Sequence, residues 1–162
     1  MYLLDSNAFM EANRLYYGFD IAPGFWTWLG DGSLRRQVGS IEAVKDEITA
    51  GTGDLVDWAN ALPTDFWLPG TEAVLTAMTE LAAWAADPSR QYRQDAVDDF
   101  LGSADLKLIA HAKASESTLV TREQPAPDSK KKIKIPDVCL VFGVAWTDPF
   151  STYRSLGLRL VA

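Results

Sequence analysis

The sequence has little of the residues that build disulfides and thiolate metal sites: one cysteine, Cys139, and one histidine, His111, in 162 residues. A single thiol cannot close an intramolecular disulfide, and it cannot build a thiolate zinc site by itself. Long apolar runs are also missing, since no stretch approaches the roughly 20 apolar residues of a membrane helix. The first apolar run, at residues 2–4, ends at Asp5 before a signal-peptide core could form. We therefore expect a cytoplasmic protein with no membrane partner.

Positive charge is scarce as well. The chain has 22 acidic and 15 basic residues, which gives a formal net charge of −7 at pH 7. Such a chain repels polyanions, so any contact with nucleic acid needs a local basic patch or a bound metal ion. Hydrophobic residues make up 48% of the chain and aromatic residues 11%, which is enough apolar surface for a packed core. We expect a single domain over residues 1–162.

Short apolar runs alternate with segments of helical periodicity. The pattern predicts strands at 2–4, 37–39 and 118–121, an edge strand at 158–161, and helices at 8–16, 23–29, 41–49, 104–114 and 136–144, with further helices in 54–88. Ser6 or Asn7 is expected to cap the first helix, and Ser40 the helix at 41–49. Strands that alternate with helices, without tight hairpin turns, predict an α/β fold with a mostly parallel sheet covered on both faces.

Acidic side chains follow two of the predicted strands. Asp5 comes directly after the first strand, and Glu123 follows the strand at 118–121 after one further residue. Functional groups gather at the carboxyl ends of parallel strands, so these two acids are candidates for one site. Asp105 lies near the start of its helix and shares the inward stripe with Leu108. An inward-facing carboxylate needs a partner that offsets its desolvation.

The helix at 41–49 offers three further acids. At 100° per residue, Glu47 lies closest to the apolar stripe of this helix, Glu42 lies farther away, and Asp46 lies on the far side. Glu47 is therefore the best candidate for the site. Asp46 stands directly beside it, and the identity of the second acid stays open between the two.

Converging carboxylates predict a divalent metal ion. Three or four of them without bases repel one another, and a divalent cation relieves that repulsion. Ligation by oxygen alone favours Mg²⁺ or Mn²⁺ over zinc. Such an ion can activate a water molecule and neutralise the charge on a phosphodiester, so the predicted reaction is hydrolysis of a nucleic-acid backbone.

Four short segments, taken in order, resemble the motifs of PIN-domain nucleases. They are Leu3-Leu4-Asp5-Ser6-Asn7, Val44-Lys45-Asp46-Glu47-Ile48, Ala104-Asp105-Leu106-Lys107-Leu108-Ile109-Ala110 and Leu119-Val120-Thr121-Arg122-Glu123. A fifth segment, residues 132–139, resembles a subgroup of PIN-like proteins often found as toxins beside an antitoxin gene. The resemblance spans residues 2–144, with 54–96 covered only loosely. Each motif alone is common, and it is their order and spacing together that are specific.

The resemblance implies a three-layer α/β/α fold, a Mg²⁺- or Mn²⁺-dependent endoribonuclease that cleaves RNA, and the role of a VapC-like toxin with a cognate antitoxin. Carried over by position, the catalytic acids would be Asp5, Glu47, Asp105 and Glu123, the metal ligands Asp5, Asp105 and Glu123, and the polar support Asn7 and Thr121. The family commonly has Asp where this chain has Glu123, so the reach of that carboxylate differs by one methylene.

Basic and aromatic residues are secondary candidates. The basic ones, for contacts with RNA phosphates, are Arg122, Lys130, Lys131, Lys132 and Lys134, with a solvated loop as the alternative. The aromatic stretches at 25–28 and 66–67 predict core packing or a protein interface rather than base stacking. The aromatic content also predicts an apolar groove covered by an antitoxin helix or by a second copy in a homodimer. We expect structural roles for His111 and Cys139, and a solvated or capping role for Asp98.

Two other functions fit parts of the sequence. A PIN-like fold without turnover would bind RNA or a partner protein, although the presence of all four acids argues against it. A phosphohydrolase would use Asp5 as a covalent nucleophile. The haloacid-dehalogenase-like pattern has a second Asp two residues later, where this chain has Asn7. A phosphate-binding glycine loop of the nucleotide-binding kind is also missing, since no glycine-rich segment ends in Gly-Lys-Ser or Gly-Lys-Thr.

Overall fold

Five parallel strands form the central sheet of this protein, for which a computed structural model describes residues 1–161. The strands are β1 (Tyr2–Leu4), β2 (Val38–Ile41), β3 (Trp67–Leu68), β4 (Thr118–Val120) and β5 (Trp146–Thr147). Their order across the sheet is β3-β2-β1-β4-β5, and every neighbouring pair is parallel.

Nine α-helices flank these strands within residues 1–161. They are α1 (Ser6–Glu11), α2 (Pro23–Leu29), α3 (Glu42–Ile48), α4 (Asp54–Ala61), α5 (Glu72–Ala86), α6 (Gln94–Gly102), α7 (Ala104–Ser115), α8 (Ile135–Phe142) and α9 (Pro149–Ser155). Parallel crossovers are right-handed, so crossovers that run in opposite directions along a sheet place their helices on opposite faces. The fold is the predicted three-layer α/β/α sandwich. None of the helices described is both long enough and apolar enough to cross a bilayer.

The central strands are apolar on both faces because helices cover both. Leu3 and Leu4 of β1 are fully buried, and so are Leu119 and Val120 of β4. This continuous burial, in place of alternation, is typical of parallel strands in a layered α/β fold. The short apolar runs read from the sequence at these two strands are confirmed.

An aromatic cluster packs beside the sheet. Its members are Phe9, Phe25, Trp26, Trp58, Phe66 and Trp67, with ring centroids of contacting pairs 4.8 to 6.3 Å apart. The indole N–H groups of Trp26, Trp58 and Trp67 donate to backbone carbonyls at 2.6, 3.0 and 3.3 Å. Phe25, Trp26 and Trp67 are buried, as core packing of these stretches predicts.

The edges of the sheet differ from the prediction. Residues 158–161 do not form a strand. Instead β5 lies beside β4, with Leu119 opposite Trp146. On the other edge, β3 pairs with β2 and was not predicted. Both missed strands are two residues long, too short to show a period in the sequence.

The helix caps also differ from the prediction. The first helix begins at Ser6 and is capped by Asp5, whose side chain accepts a hydrogen bond from the Ala8 backbone N–H. It ends at Glu11, and a π-helical turn continues to Tyr16. Ser40 lies inside β2, where its hydroxyl donates to the Leu4 carbonyl at 2.6 Å rather than capping α3.

Candidate active site

The order of the strands changes direction between β1 and β4. The chain adds β2 and β3 on one side of β1, then returns to add β4 and β5 on the other. Such a switch point leaves a crevice at the carboxyl ends of the strands. Leu4 pairs with Val120 at these ends, so the next residues, Asp5 and Thr121, lie side by side. The Thr121 hydroxyl donates to Asp5 Oδ2 at 2.6 Å.

Asp5 is 2% exposed and accepts hydrogen bonds at both carboxylate oxygens. Besides the bond from Thr121, Oδ1 accepts from the Ala8 backbone N–H at 2.7 Å. Burial raises the pKa of Asp5 to about 7 against the effect of these two bonds, and the charges of Asp105 and Glu123 add to the rise. Each oxygen keeps a second lone pair, so the carboxylate can still bind a cation.

Asp105 lies in the first turn of α7 and is half-buried. Burial raises its pKa to about 6, and the negative charges of Glu123 and Glu47 raise it further. The charges of Lys132 and Lys134 oppose this rise. The charges of Asp105 and Glu123 thus act on Asp5, and those of Glu123 and Glu47 act on Asp105, so the four predicted acids lie on the same side of the molecule.

Glu47 and Asp46 face different surroundings. Glu47 is exposed at its end of α3, and its Oε2 accepts a hydrogen bond from the Ser6 hydroxyl at 2.6 Å. Ser6 follows Asp5 directly, so this bond holds Glu47 beside the site. Asp46 instead lines a cavity of about 390 Å³ with Lys107. Of these two neighbouring acids, Glu47 is the one that lies beside Asp5.

Glu123 lies in the loop after β4 and is tied down at both oxygens. Oε1 accepts from the Lys132 ammonium at 3.1 Å, and Oε2 accepts from the Ile135 backbone N–H at 2.8 Å. Its own backbone N–H donates to the Thr121 hydroxyl at 3.1 Å. Burial lowers the pKa of Lys132, but the bond to Glu123 and its charge outweigh burial, so that pKa is raised.

The four acids have the chemistry of a site for Mg²⁺ or Mn²⁺. Carboxylate oxygens are the ligands these ions take, and a cation would offset the burial and the carboxylate repulsion that raise the pKa values of Asp5 and Asp105. Within residues 1–161, no three His, Cys, Asp or Glu side chains are close enough to form a preassembled metal site.

Of the two predicted supporting residues, Thr121 contacts an acid of the site and Asn7 does not. Thr121 donates directly to Asp5, in keeping with the supporting position that the motif resemblance implies. Asn7 is exposed, and in the described part of the chain its side chain makes no hydrogen bond to the acids. Ser6 and Lys132 were not predicted as partners of the acids. Ser6 adjoins Asp5 in sequence, which is a usable signal, whereas nothing in the sequence pairs Lys132 with Glu123.

The basic candidates are partly occupied by protein partners. Arg122 donates to Glu11 Oε2 at 2.9 Å, and Lys130 donates to the Arg90 carbonyl at 3.0 Å. Lys131 and Lys132 line a cavity of about 230 Å³ that also includes two acids, Asp99 and Asp105. We call this space the α6–α7 cavity, because Phe100 of α6 and Asp105 of α7 both line it. It is the place where positive side chains and an acid of the site meet.

Three other titratable residues lie outside the site, in line with the sequence analysis. His111 is buried, and burial lowers its pKa. Cys139 is fully buried, and burial raises the pKa of its thiol to about 12, which leaves it unreactive near neutral pH. Asp98 is exposed and accepts a hydrogen bond from the Gln94 side chain at 2.9 Å.

A family model described as a domain of unknown function, DUF4411, matches residues 2–160 of the chain. All four acids lie inside the matched segment. No curated protein and no solved structure matches the chain. The site therefore has to be interpreted from its own geometry.

Proposed function

Since the chain belongs to the DUF4411 family, a domain of unknown function, we propose its activity from the site itself: a Mg²⁺- or Mn²⁺-dependent endoribonuclease that hydrolyses RNA phosphodiester bonds. One observation carries the proposal. Four carboxylates lie near the switch point of the sheet, and burial, together with the charges of neighbouring carboxylates, raises the pKa values of Asp5 and Asp105.

Three of the acids would hold the metal ion, namely Asp5, Asp105 and Glu123. A divalent ion bound there supplies an activated water molecule and neutralises charge on the phosphodiester. Asp5 is the immobile ligand, because the Ala8 backbone and the Thr121 hydroxyl orient its carboxylate. Glu47 is exposed and lies at the rim, where its carboxylate can accept a proton from a water molecule.

Positive side chains beside the acids support RNA as the substrate. Lys131 and Lys132 line the α6–α7 cavity together with Asp105. The chain as a whole carries a net charge of −7, so phosphate groups need such a local patch. The cavity offers a place for a phosphate next to the acids.

A binding module without turnover is the second candidate, and one observation favours it. Glu47 and Glu123 are held by partners within the protein, so three ligands are not preassembled. A phosphohydrolase with Asp5 as covalent nucleophile fits less well. That carboxylate is 2% exposed and bonded at both oxygens, whereas a nucleophile has to reach the substrate.

The cellular part of the proposal rests on the motif resemblance alone. On that basis the protein is a cytoplasmic toxin held inactive by a cognate antitoxin, and a second copy of the chain is a further partner. The exposed aliphatic side chains Leu140 and Val141 on α8 are compatible with a covered surface, but they do not identify the partner.

The test is cleavage of structured RNA by the purified chain with Mg²⁺ or Mn²⁺, and then with a chelator. We expect metal-dependent cleavage by the wild type and a loss of more than about 100-fold in Asp5→Asn, because a metal ligand is removed. Glu47→Gln should also lose activity. Asp46→Asn is the matched control, and it should retain activity because Asp46 lines a different cavity.

Two outcomes would reject the proposal. Cleavage that persists in Asp5→Asn would come from another site or from a contaminating nuclease. No metal-dependent cleavage of a broad RNA panel, by protein shown to be folded and free of inhibitor, would leave the binding module as the better account.

A further inference from the structure

Lys132 reaches into the acidic site from solvent. Its ammonium lies 3.1 Å from Glu123 Oε1, and the Glu123 side chain is 10% exposed while that of Lys132 is 57% exposed. Of the ion pairs formed within residues 1–161, this one alone includes one of the four acids of the site. A nearly buried carboxylate is thus neutralised by a side chain that can leave it.

The charge of Lys132 also acts beyond Glu123. It lowers the pKa of Asp105, against the burial that raises it. The same side chain lines the α6–α7 cavity beside Asp105. Lys132 therefore supplies positive charge both to Glu123, through the ion pair, and to the neighbourhood of Asp105.

We propose that Lys132 is a displaceable counter-ion, which neutralises Glu123 in the metal-free protein, competes with a divalent ion for that carboxylate, and after displacement binds a phosphate of the RNA in the α6–α7 cavity. This inference rests on the proposed nuclease function and adds a regulated contact to the same site. It concerns two positions of one flexible side chain, with no change of fold.

Competition follows from the bonding of Glu123. Oε2 is held by the Ile135 backbone N–H, and Oε1 by Lys132, so an incoming cation meets the ammonium at Oε1. Two positive charges at one oxygen repel each other. The long stem of lysine lets the displaced ammonium move to the adjoining cavity, where an anionic phosphate would attract it.

The experiment compares Lys132→Met with Lys131→Met in the full chain. Both variants lose one positive charge from the same loop, but only Lys132 contacts Glu123. Calorimetric titration with Mn²⁺, without RNA, should give roughly fivefold tighter binding in Lys132→Met than in wild type. Lys131→Met should stay within about twofold, since it lacks the contact.

The phosphate contact is measured separately, as the KM for RNA at saturating Mn²⁺. Lys132→Met should raise the KM about fivefold with little change in kcat, because a binding contact is lost and the catalytic acids remain. Tighter binding of Mn²⁺ and weaker binding of RNA are opposite effects of one substitution. A purely structural lysine would not produce both.

The thermal stability of Lys132→Met is a third measurement, which stays informative if this variant folds less well than wild type. Lys132→Met should have a lower Tm than wild type in chelator, and a larger increase in Tm when Mn²⁺ is added. If Lys132→Met lowered the Tm equally with and without Mn²⁺ and left the Mn²⁺ affinity unchanged, the counter-ion role of Lys132 would be wrong.

The results separate this inference from the function on which it rests. If wild type does not bind Mn²⁺, the nuclease proposal fails and the counter-ion with it. If wild type binds Mn²⁺ and Lys132→Met binds it equally or more weakly, the counter-ion is wrong while the nuclease stands. If the KM of Lys132→Met for RNA were unchanged, the proposed contact between Lys132 and an RNA phosphate would be wrong.

Discussion

The aromatic cluster and the acidic site are both packed against the same sheet, but only the site buries ionisable groups at a cost. The indole N–H groups of Trp26, Trp58 and Trp67 all reach backbone carbonyls. Asp5 and Asp105 instead have raised pKa values, because burial and neighbouring carboxylates disfavour their charged forms. Burial in the cluster stabilises the fold, whereas burial at the site costs stability that a cation would restore.

Removing an aromatic ring should give the largest effect and touch only the fold. Trp26 is 2% exposed, stacks on Phe19 at 4.3 Å and contacts Phe25 and Trp58 edge-on. We expect Trp26→Ala to lower the free energy of unfolding by about 3–5 kcal/mol in urea denaturation, because it leaves a large cavity. If the loss were below about 1 kcal/mol, the cluster would not be the stabilising region described here.

The pH dependence of stability should show the cost of the site. The pKa of Asp5 is 3.8 as an ordinary aspartate and about 7 when folded, so between these pH values the folded state binds more protons than the unfolded state. Raising the pH through this window therefore removes stability. In chelator we expect the free energy of unfolding to fall by on the order of 3 kcal/mol from pH 4 to pH 7 and then to level off.

The controls for this pH dependence are two amides. Asp5→Asn should flatten the fall, since the amide keeps the size of the side chain and carries no charge. Asp105, with a folded pKa of about 6, should account for part of the remaining slope. Asp98→Asn, at an exposed acid, should leave the wild-type slope in place. A wild-type curve that rises from pH 4 to pH 7 would contradict the account.

Removing the Thr121 hydroxyl should give the smallest effect and sharpen the comparison. It donates to Asp5 Oδ2 and accepts from the Glu123 backbone N–H. Thr121→Val should cost about 1–2 kcal/mol of unfolding free energy, more above pH 7 than at pH 5, because the bond favours ionised Asp5. Thr118→Val, on the same strand, is the matched control and should stay within about 0.5 kcal/mol. Equal losses at both pH values would mean that the bond does not act on the charge.

The approach of Asp5 and Glu123 to one edge of the sheet could be predicted from the sequence, because it follows from two buried runs and the rule that parallel strands end at one edge. The preference for Glu47 over Asp46 came from helical periodicity in the same way. These features depend on local pattern and on general topology. Both can be assessed from the amino-acid sequence alone.

The parts that were missed depend on contacts between distant segments. β3 and β5 exist because Trp67 and Trp146 pair with neighbouring strands, and two residues have no period of their own. Ser40 has the side chain of a helix cap, yet the carbonyl of Leu4 in the adjacent strand takes its hydrogen bond. The return of Lys132 to Glu123 is set by the path of a loop, which residue types alone do not describe.

Asp5 is at once an acid of the candidate site and the residue that caps α1. Its Oδ1 holds the Ala8 backbone N–H, so the carboxylate cannot swing away without releasing the first turn of a six-residue helix. Local opening of short helices normally begins at such ends. A ligand that keeps the ionised carboxylate in place would therefore also suppress fraying of α1. Occupancy of the site and order at the start of this helix form one cooperative unit.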